Sequence, residues 1–317
     1  MSDGYGLLAP VTEPLAPGIY ESLHTQRLQS SVARTELEPE YRPLAEGDEP
    51  HVLARHVASA VERHLAHVRG SGERIAVVND IVAGLGHSDG DDISESAHLT
   101  ALSLAGQAPP RRPETPLSDV ALLTNTRDEP NMASEIGREL ESADHVDLLC
   151  AFIRFAGVAV IGRELARLRE RGVKLRVVTT TYRGATEQRA VDELVTKYGA
   201  EVRIRYETAS TRLHAKAWLF RRNSGFDTGY VGSSNLSRSA MVDGLEWNVR
   251  ISSVATPALT RKFEATFDTY WDDPAFKQYD PESDSDLLDR ALREAGGQGT
   301  SRDALTVSGL DVRPYPH

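Results

Sequence analysis

His214 and Lys216 stand two apart in TRLHAKAWLF, an apolar and aromatic run whose pattern predicts a β-strand. Alternate residues of a strand share a face, so the imidazole and the ammonium emerge together. Ala215 and Ala217 then point the other way and allow close packing. A second apolar strand runs into Gly232-Ser233-Ser234-Asn235, and Glu246 opens a third within GLEWN. An imidazole, a fixed cation, a carboxamide with neighbouring backbone N–H groups and a carboxylate can thus converge at the ends of adjacent strands. Phosphoryl transfer without a metal uses such a set: a nucleophile, a cation, donors for developing charge and an orienter for the ring.

Each residue also has a plainer reading. His214 alone could be a satisfied core histidine and Lys216 a snorkelling edge residue. Asn235 could cap a helix starting at Leu236, a role compatible with anion binding. Glu246 could be an exposed strand residue. Arg212 precedes His214 by two, shares its face and is a candidate phosphate contact, as are Ser233 and Ser234. Arg183, in the TYRGAT turn after a strand, either touches substrate or belongs to an ordinary strand-to-helix turn. Trp218 and Trp247 are expected to pack the core rather than stack on bases.

HAKAWLF, GYVGSSNLS and GLEWN in that order resemble the HxK and GSxN halves of the phospholipase D superfamily. More narrowly, the pattern resembles the single-HxK, nuclease-like domain at the front of bacterial superfamily 2 helicases of the DEAD/DEAH type. The resemblance extends from about Pro116 to Asp272, and more loosely into the N-terminal helices. One departure stands out: the family's usual aspartate, five residues after the lysine, falls on Arg221. Metal-independent restriction endonucleases of the superfamily lack it too and use a downstream Asn and Glu, which Asn235 and Glu246 match in order and approximate spacing.

The resemblance implies a metal-independent phosphodiesterase, a nuclease acting on DNA, with no cofactor. His214 attacks phosphorus and forms a phosphohistidine while a second histidine protonates the leaving oxygen. Lys216 and Asn235 hold the non-bridging oxygens, and Glu246 orients the His214 ring. Only one HxK followed by GSxN occurs, so a homodimer sharing one active site is the simplest way to supply the second histidine. The alternatives are a non-catalytic DNA-binding or dimerisation module and, with less support, a phospholipid hydrolase. A defence role rests on family analogy alone.

Composition agrees. The 317 residues are 40% hydrophobic and 26% charged, as in ordinary globular proteins. No apolar run is long enough to cross a membrane, and MSDGYGLLAPV lacks the layout of a secretory signal, so a cytoplasmic location is expected. The single cysteine, Cys150, lies in VDLLCAF and reads as a core residue. The net charge of −11 is unevenly spread. Residues 151–222 hold 16 Lys and Arg against 7 Asp and Glu, a local +9 that leaves −20 for the remainder. That segment is either a phosphate-binding face or a set of solvated helix faces such as RELARLRERG.

Residues 1–18 read as an irregular leader, 19–105 as a small helical subdomain, 106–119 as a proline-rich linker and 120–275 as the catalytic domain. The subdomain carries helical spacing in IYESLHTQRLQSSV, HVLARHVASAVERHLAHVRG and ERIAVVNDIVAGLG. His51, His56, His64 and His67 lack accompanying Cys or carboxylates and decorate a solvated helix face rather than a metal site. From Val120, strands and helices alternate, which predicts an α/β fold with a mixed sheet; the resemblance implies an α/β/α sandwich. Residues 276–317 read as a tail or linker toward a helicase domain, because the helicase-fused relatives carry an RPYP-type sequence at this point. The chain has no Walker-type phosphate loop.

Overall fold

Apolar runs with a period of two become strands of one sheet in the computed structural model, which describes residues 15–86, 90–106, 108–126, 130–206 and 213–302. Arg212 and the VRPYP segment lie outside the described residues. Two units are distinguished, one within Met1–Leu102 and one within Ser103–His317.

The first unit holds α1 (Gln26–Val32), α2 (Glu49–His67) and α3 (Ser71–Gly84). The helix expected from Ile19 begins only at Gln26, because Thr25 caps it: the Thr25 hydroxyl accepts the Leu28 N–H at 3.2 Å. Only Ser31 and Ser59 are buried among the described residues of this unit. Leu53 and Val57 of α2 are exposed, as are His51, His64 and His67, while His56 is half-buried.

The second unit carries the sheet. In chain order it comprises β1 (Ala121–Leu123), α4 (Met132–Ser142), β2 (His145–Cys150), α5 (Phe155–Val160), α6 (Gly162–Glu170) and β3 (Lys174–Thr180). A 3-10 turn (Tyr182–Gly184) leads to α7 (Gln188–Thr196), β4 (Glu201–Arg205), β5 (Lys216–Arg221), β6 (Thr228–Gly232) and α8 (Arg238–Val242). Then follow β7 (Asn248–Ser252), α9 (Pro257–Asp272), β8 (Lys277–Gln278) and α10 (Pro281–Arg302). The strand order is β1-β7-β6-β5-β2-β3-β4-β8, with β2-β3 and β3-β4 parallel and the other pairs antiparallel. The mixed α/β architecture is the predicted one.

Register decides the faces. Val146, Leu148 and Cys150 of β2 lie opposite Phe220, Trp218 and Lys216 of β5. The apolar members of this row pack with Ile136, Leu140, Leu165, Val191 and Met241 from the helices α4, α6, α7 and α8. The opposite face carries Leu149, Val178 and Ala217, which meet Phe267 and Trp271 of α9. GVAVIGRELARLRERG breaks at Ile161 (φ −108°, ψ 15°) into α5 and α6. The break separates two packing demands, since α5 lies against α8 and α6 against α4.

Two buried carboxylates anchor the layers. Glu139 on α4 receives Arg222, Arg250, the Thr228 hydroxyl (2.8 Å) and the Tyr230 hydroxyl (2.8 Å). On the other face, Asp147 holds Arg176 (2.6 Å), Arg221 (2.9 Å) and His145 (2.9 Å). The hydrogen bonds and the charges of these partners hold the Asp147 carboxyl below its ordinary pKa even though burial pushes it upward. Much of the basic excess in 151–222 is therefore committed internally. Arg169 donates to the carbonyls of Thr196 and Lys197, and Arg171 to that of Leu140. A cavity of about 520 Å³ opens beside Arg176, Arg221 and Arg222, at the far end of β5 from Lys216, and its cations already face carboxylates.

Candidate active site

Lys216 is the first residue of β5, and its side chain is buried (6% exposed) on the face that carries Cys150. Its Nζ lies 2.9 Å from Nδ1 and 3.1 Å from Nε2 of His214 and donates to the His214 carbonyl at 2.6 Å. A positive charge this close to both ring nitrogens opposes protonation of the imidazole and favours its neutral form. His214 itself precedes the strand and is exposed, with its ring edge-on to Phe152 at a centroid distance of 6.3 Å. The charge of Lys216 first, then partial burial and the charge of Arg183, hold the His214 pKa below its ordinary value. Burial also pushes the Lys216 pKa down, with Cys150 and Glu246 acting the other way.

Asn235 reaches the site from the loop after β6. Its Oδ1 accepts the Phe152 N–H at 3.1 Å. A backbone donor must meet an acceptor, so the oxygen end of the carboxamide is committed and its NH2 end is the one able to donate to an anion. The expectation that Asn235 caps a helix is corrected: α8 starts at Arg238, and Ser237 caps it by accepting the Ala240 N–H at 3.3 Å.

The Gly-Ser-Ser segment is held by the residues before and within β7. A Cβ on Gly232 would fall 2.2 Å from the Trp247 carbonyl oxygen and 2.5 Å from Asn248 Oδ1, which leaves glycine as the residue that fits. Ser233 donates its N–H to the Trp247 carbonyl at 3.0 Å, and its hydroxyl accepts the Trp247 N–H at 3.0 Å while donating to the Glu246 carboxylate. Ser234 is buried, with its hydroxyl accepting from Asn248 Nδ2 (2.8 Å) and donating to the Ala240 carbonyl (3.3 Å). Glu246 precedes β7 rather than opening it. Its charge is felt at Lys216, and its hydrogen bond goes to Ser233 rather than to the His214 ring.

Trp218 is in the core as expected, but Trp247 is 68% exposed. The reason is register: Trp247 shares the parity of Val249 and Val231, an outward row that α9 leaves uncovered, so both valines are exposed as well. Arg221, at the position of the family's aspartate, pairs with Asp147 and Glu264 at the far end of the strand.

Two contributors carried no local signal in the sequence. The Cys150 thiol donates to the Phe152 carbonyl (3.0 Å) and its sulfur accepts the Leu236 N–H (3.2 Å), tying the end of β2 to the loop that carries Asn235. Asn248 fastens Ser234. Both become visible only once the strand register is known. Among the described residues no group of three His, Cys, Asp or Glu side chains is arranged to hold a metal ion, and no helix is long and apolar enough to cross a membrane.

Residues 136–271 match the family model described as cardiolipin synthase, PLD-like domain. No curated protein matches the chain. Among solved structures, Nuc from Salmonella typhimurium, described as a phospholipase D family member, is 17% identical with a TM-score of 0.38 and aligns over 51% of this chain and 99% of its own. NucT from Helicobacter pylori is 13% identical with a TM-score of 0.40, over 51% and 99%. Phosphatidylserine synthase from Haemophilus influenzae is 11% identical with a TM-score of 0.36, over 57% and 47%. The matched segment contains His214, Lys216, Asn235 and Glu246 together, and over residues 136–271 the chain is similar to the phospholipase D-like domain.

Proposed function

We propose that the chain is a metal-independent phosphodiesterase that cleaves DNA through a phosphohistidine and forms the nuclease module of a helicase-containing protein. The observation that carries this reading is the contact of the Lys216 ammonium with both ring nitrogens of His214. It keeps the imidazole neutral and therefore nucleophilic, and it sets a cation where a phosphate oxygen must lie. The similarity of residues 136–271 to the phospholipase D-like domain supports the same chemistry.

A ring nitrogen of His214 attacks phosphorus, the P–N bond forms, and the P–O bond to the leaving group breaks. The leaving oxygen takes a proton from a second histidine, and water then cleaves the P–N bond to restore His214. Lys216 and the Asn235 NH2 neutralise the non-bridging oxygens. Glu246 supports Ser233 and the charge of Lys216. A two-fold dimer brings the second histidine, the partner's His214, to the shared site. Leu245, at 86% exposed, and Trp247 flank Glu246 and give such a dimer an apolar surface to bury.

A second reading, a DNA-binding and dimerisation module without catalysis, follows from the presence of one HxK alone. Labelled single- and double-stranded DNA incubated in EDTA beside His214→Ala separates the two. Cleavage in EDTA that His214→Ala abolishes supports the enzyme. Cleavage that requires Mg²⁺ sinks the mechanism, and binding without cleavage of any form favours the second reading.

A further inference from the structure

Arg183 and Gly184 adopt the left-handed backbone in succession, with φ 61° and 59°. A residue with a Cβ takes up that conformation only where its surroundings hold it. The surroundings here are α10. Gly184 presses against the helix backbone so closely that a Cβ would fall 2.3 Å from the Leu292 carbonyl oxygen and 2.8 Å from the Gly296 nitrogen. The helix is itself anchored: Leu288 is fully buried in the core, Leu292 packs beside it, and Gln188 on α7 donates to the Ser285 hydroxyl at 2.5 Å. The turn so held follows the C-terminal end of β3, which runs parallel to β2 and so ends at the sheet edge where Cys150 pairs with Lys216, and it carries an arginine whose charge reaches His214.

We infer that α10 is a clamp on the Tyr182–Gly184 turn, and that its seating positions Arg183 against a substrate phosphate beside His214. The contact with substrate rests on the phosphodiesterase reading; the clamp does not. Residues 281–302, read from the sequence as part of a tail, then act as a positioning element of the site. Displacing Leu288 or Leu292 releases the turn and takes Arg183 away from the imidazole. The cations facing that imidazole are Lys216 from β5 and Arg183 from the turn, while Glu246 acts on Lys216.

The test is a proton NMR titration of the His214 ring in the full chain, with the resonance assigned from its loss in His214→Ala. Arg183→Gln removes the charge, and the His214 pKa rises. Gly184→Ala forces the turn off α10, and Leu288→Ala loosens the seat of the helix in the core; both raise the pKa in the same sense. Gly296→Ala is the matched control, because a Cβ there meets nothing nearer than the Arg183 carbonyl at 4.0 Å, and it leaves the pKa unchanged. Hydrolysis of bis(p-nitrophenyl) phosphate falls about tenfold in kcat/KM for Arg183→Gln and Gly184→Ala. If the titration moves in Arg183→Gln but stays at the wild-type value in folded Leu288→Ala, or in folded Gly184→Ala, the clamp is overturned. It is likewise overturned if Arg183→Gln itself moves nothing. A wild-type chain without hydrolysis defeats the phosphodiesterase reading and leaves the titration to decide the clamp.

Discussion

Cys150 and Lys216 are register partners across β2 and β5, so the only thiol of the chain lies beside the buried ammonium of the candidate site. The thiol is fully buried, and that burial pushes its pKa up to about 11. The thiolate is the reactive form, so Cys150 is protected twice, by access and by protonation. Native protein at pH 8 should take up no iodoacetamide, whereas protein in 6 M guanidinium should take up one equivalent. Mass spectrometry reads both, and rapid native labelling would contradict the packing of β2 against β5.

Nucleophilic attack needs neutral His214, and the cations beside it hold its pKa below 6.5. The neutral fraction therefore rises with pH through a midpoint under 6.5, and on the proposed mechanism it sets the acid limb of a bell-shaped kcat/KM profile whose falling limb is the loss of the proton from the second histidine. Lys216→Met removes the largest of those causes, so the midpoint moves up toward 6.5 while the rate falls by about a hundredfold. A pH–rate profile of the variant with an unshifted acid limb would show that Lys216 does not set the protonation of His214.

Glu139 is buried between two arginines, Arg222 and Arg250. Glu139→Ala leaves both cations without their carboxylate, a loss of about 3–5 kcal/mol that is a large part of a domain's stability. Urea unfolding followed by circular dichroism measures it. A cost near zero would mean that the two arginines find other partners.

Leu245 and Trp247 are exposed within one chain, so replacing them costs that chain little. The paired change Leu245→Asp and Trp247→Asp should leave the unfolding free energy within about 1 kcal/mol of wild type and yield a monomer by light scattering. Cleavage should fall with the dimer, because the second histidine is lost. A variant that still dimerises places the interface elsewhere.

The residue types and order of HAKAWLF, GYVGSSNLS and GLEWN were enough to single out His214, Lys216, Asn235 and Glu246 as candidates, and period-two and period-3.6 patterns were enough for the mixed α/β class. Those are local properties: side-chain alternation follows from backbone geometry at each residue. Helix ends were legible only in part. The start of α1 at Thr25 and of α8 at Ser237 depended on which hydroxyl turns back to its own backbone. What no local pattern contains is register. The pairing of Cys150 with Lys216, the outward parity of Trp247, the use of Arg221 and Arg222 on carboxylates at the far end of β5, and the seating of α10 on Gly184 all join residues distant in sequence. A one-residue slip between β2 and β5 would carry Lys216 to the α9 face, away from the loop of Asn235. The amino-acid sequence thus determined which groups are candidates for the site, and the tertiary structure decided which of them touch, because contact is set by strand pairing and packing rather than by spacing along the chain.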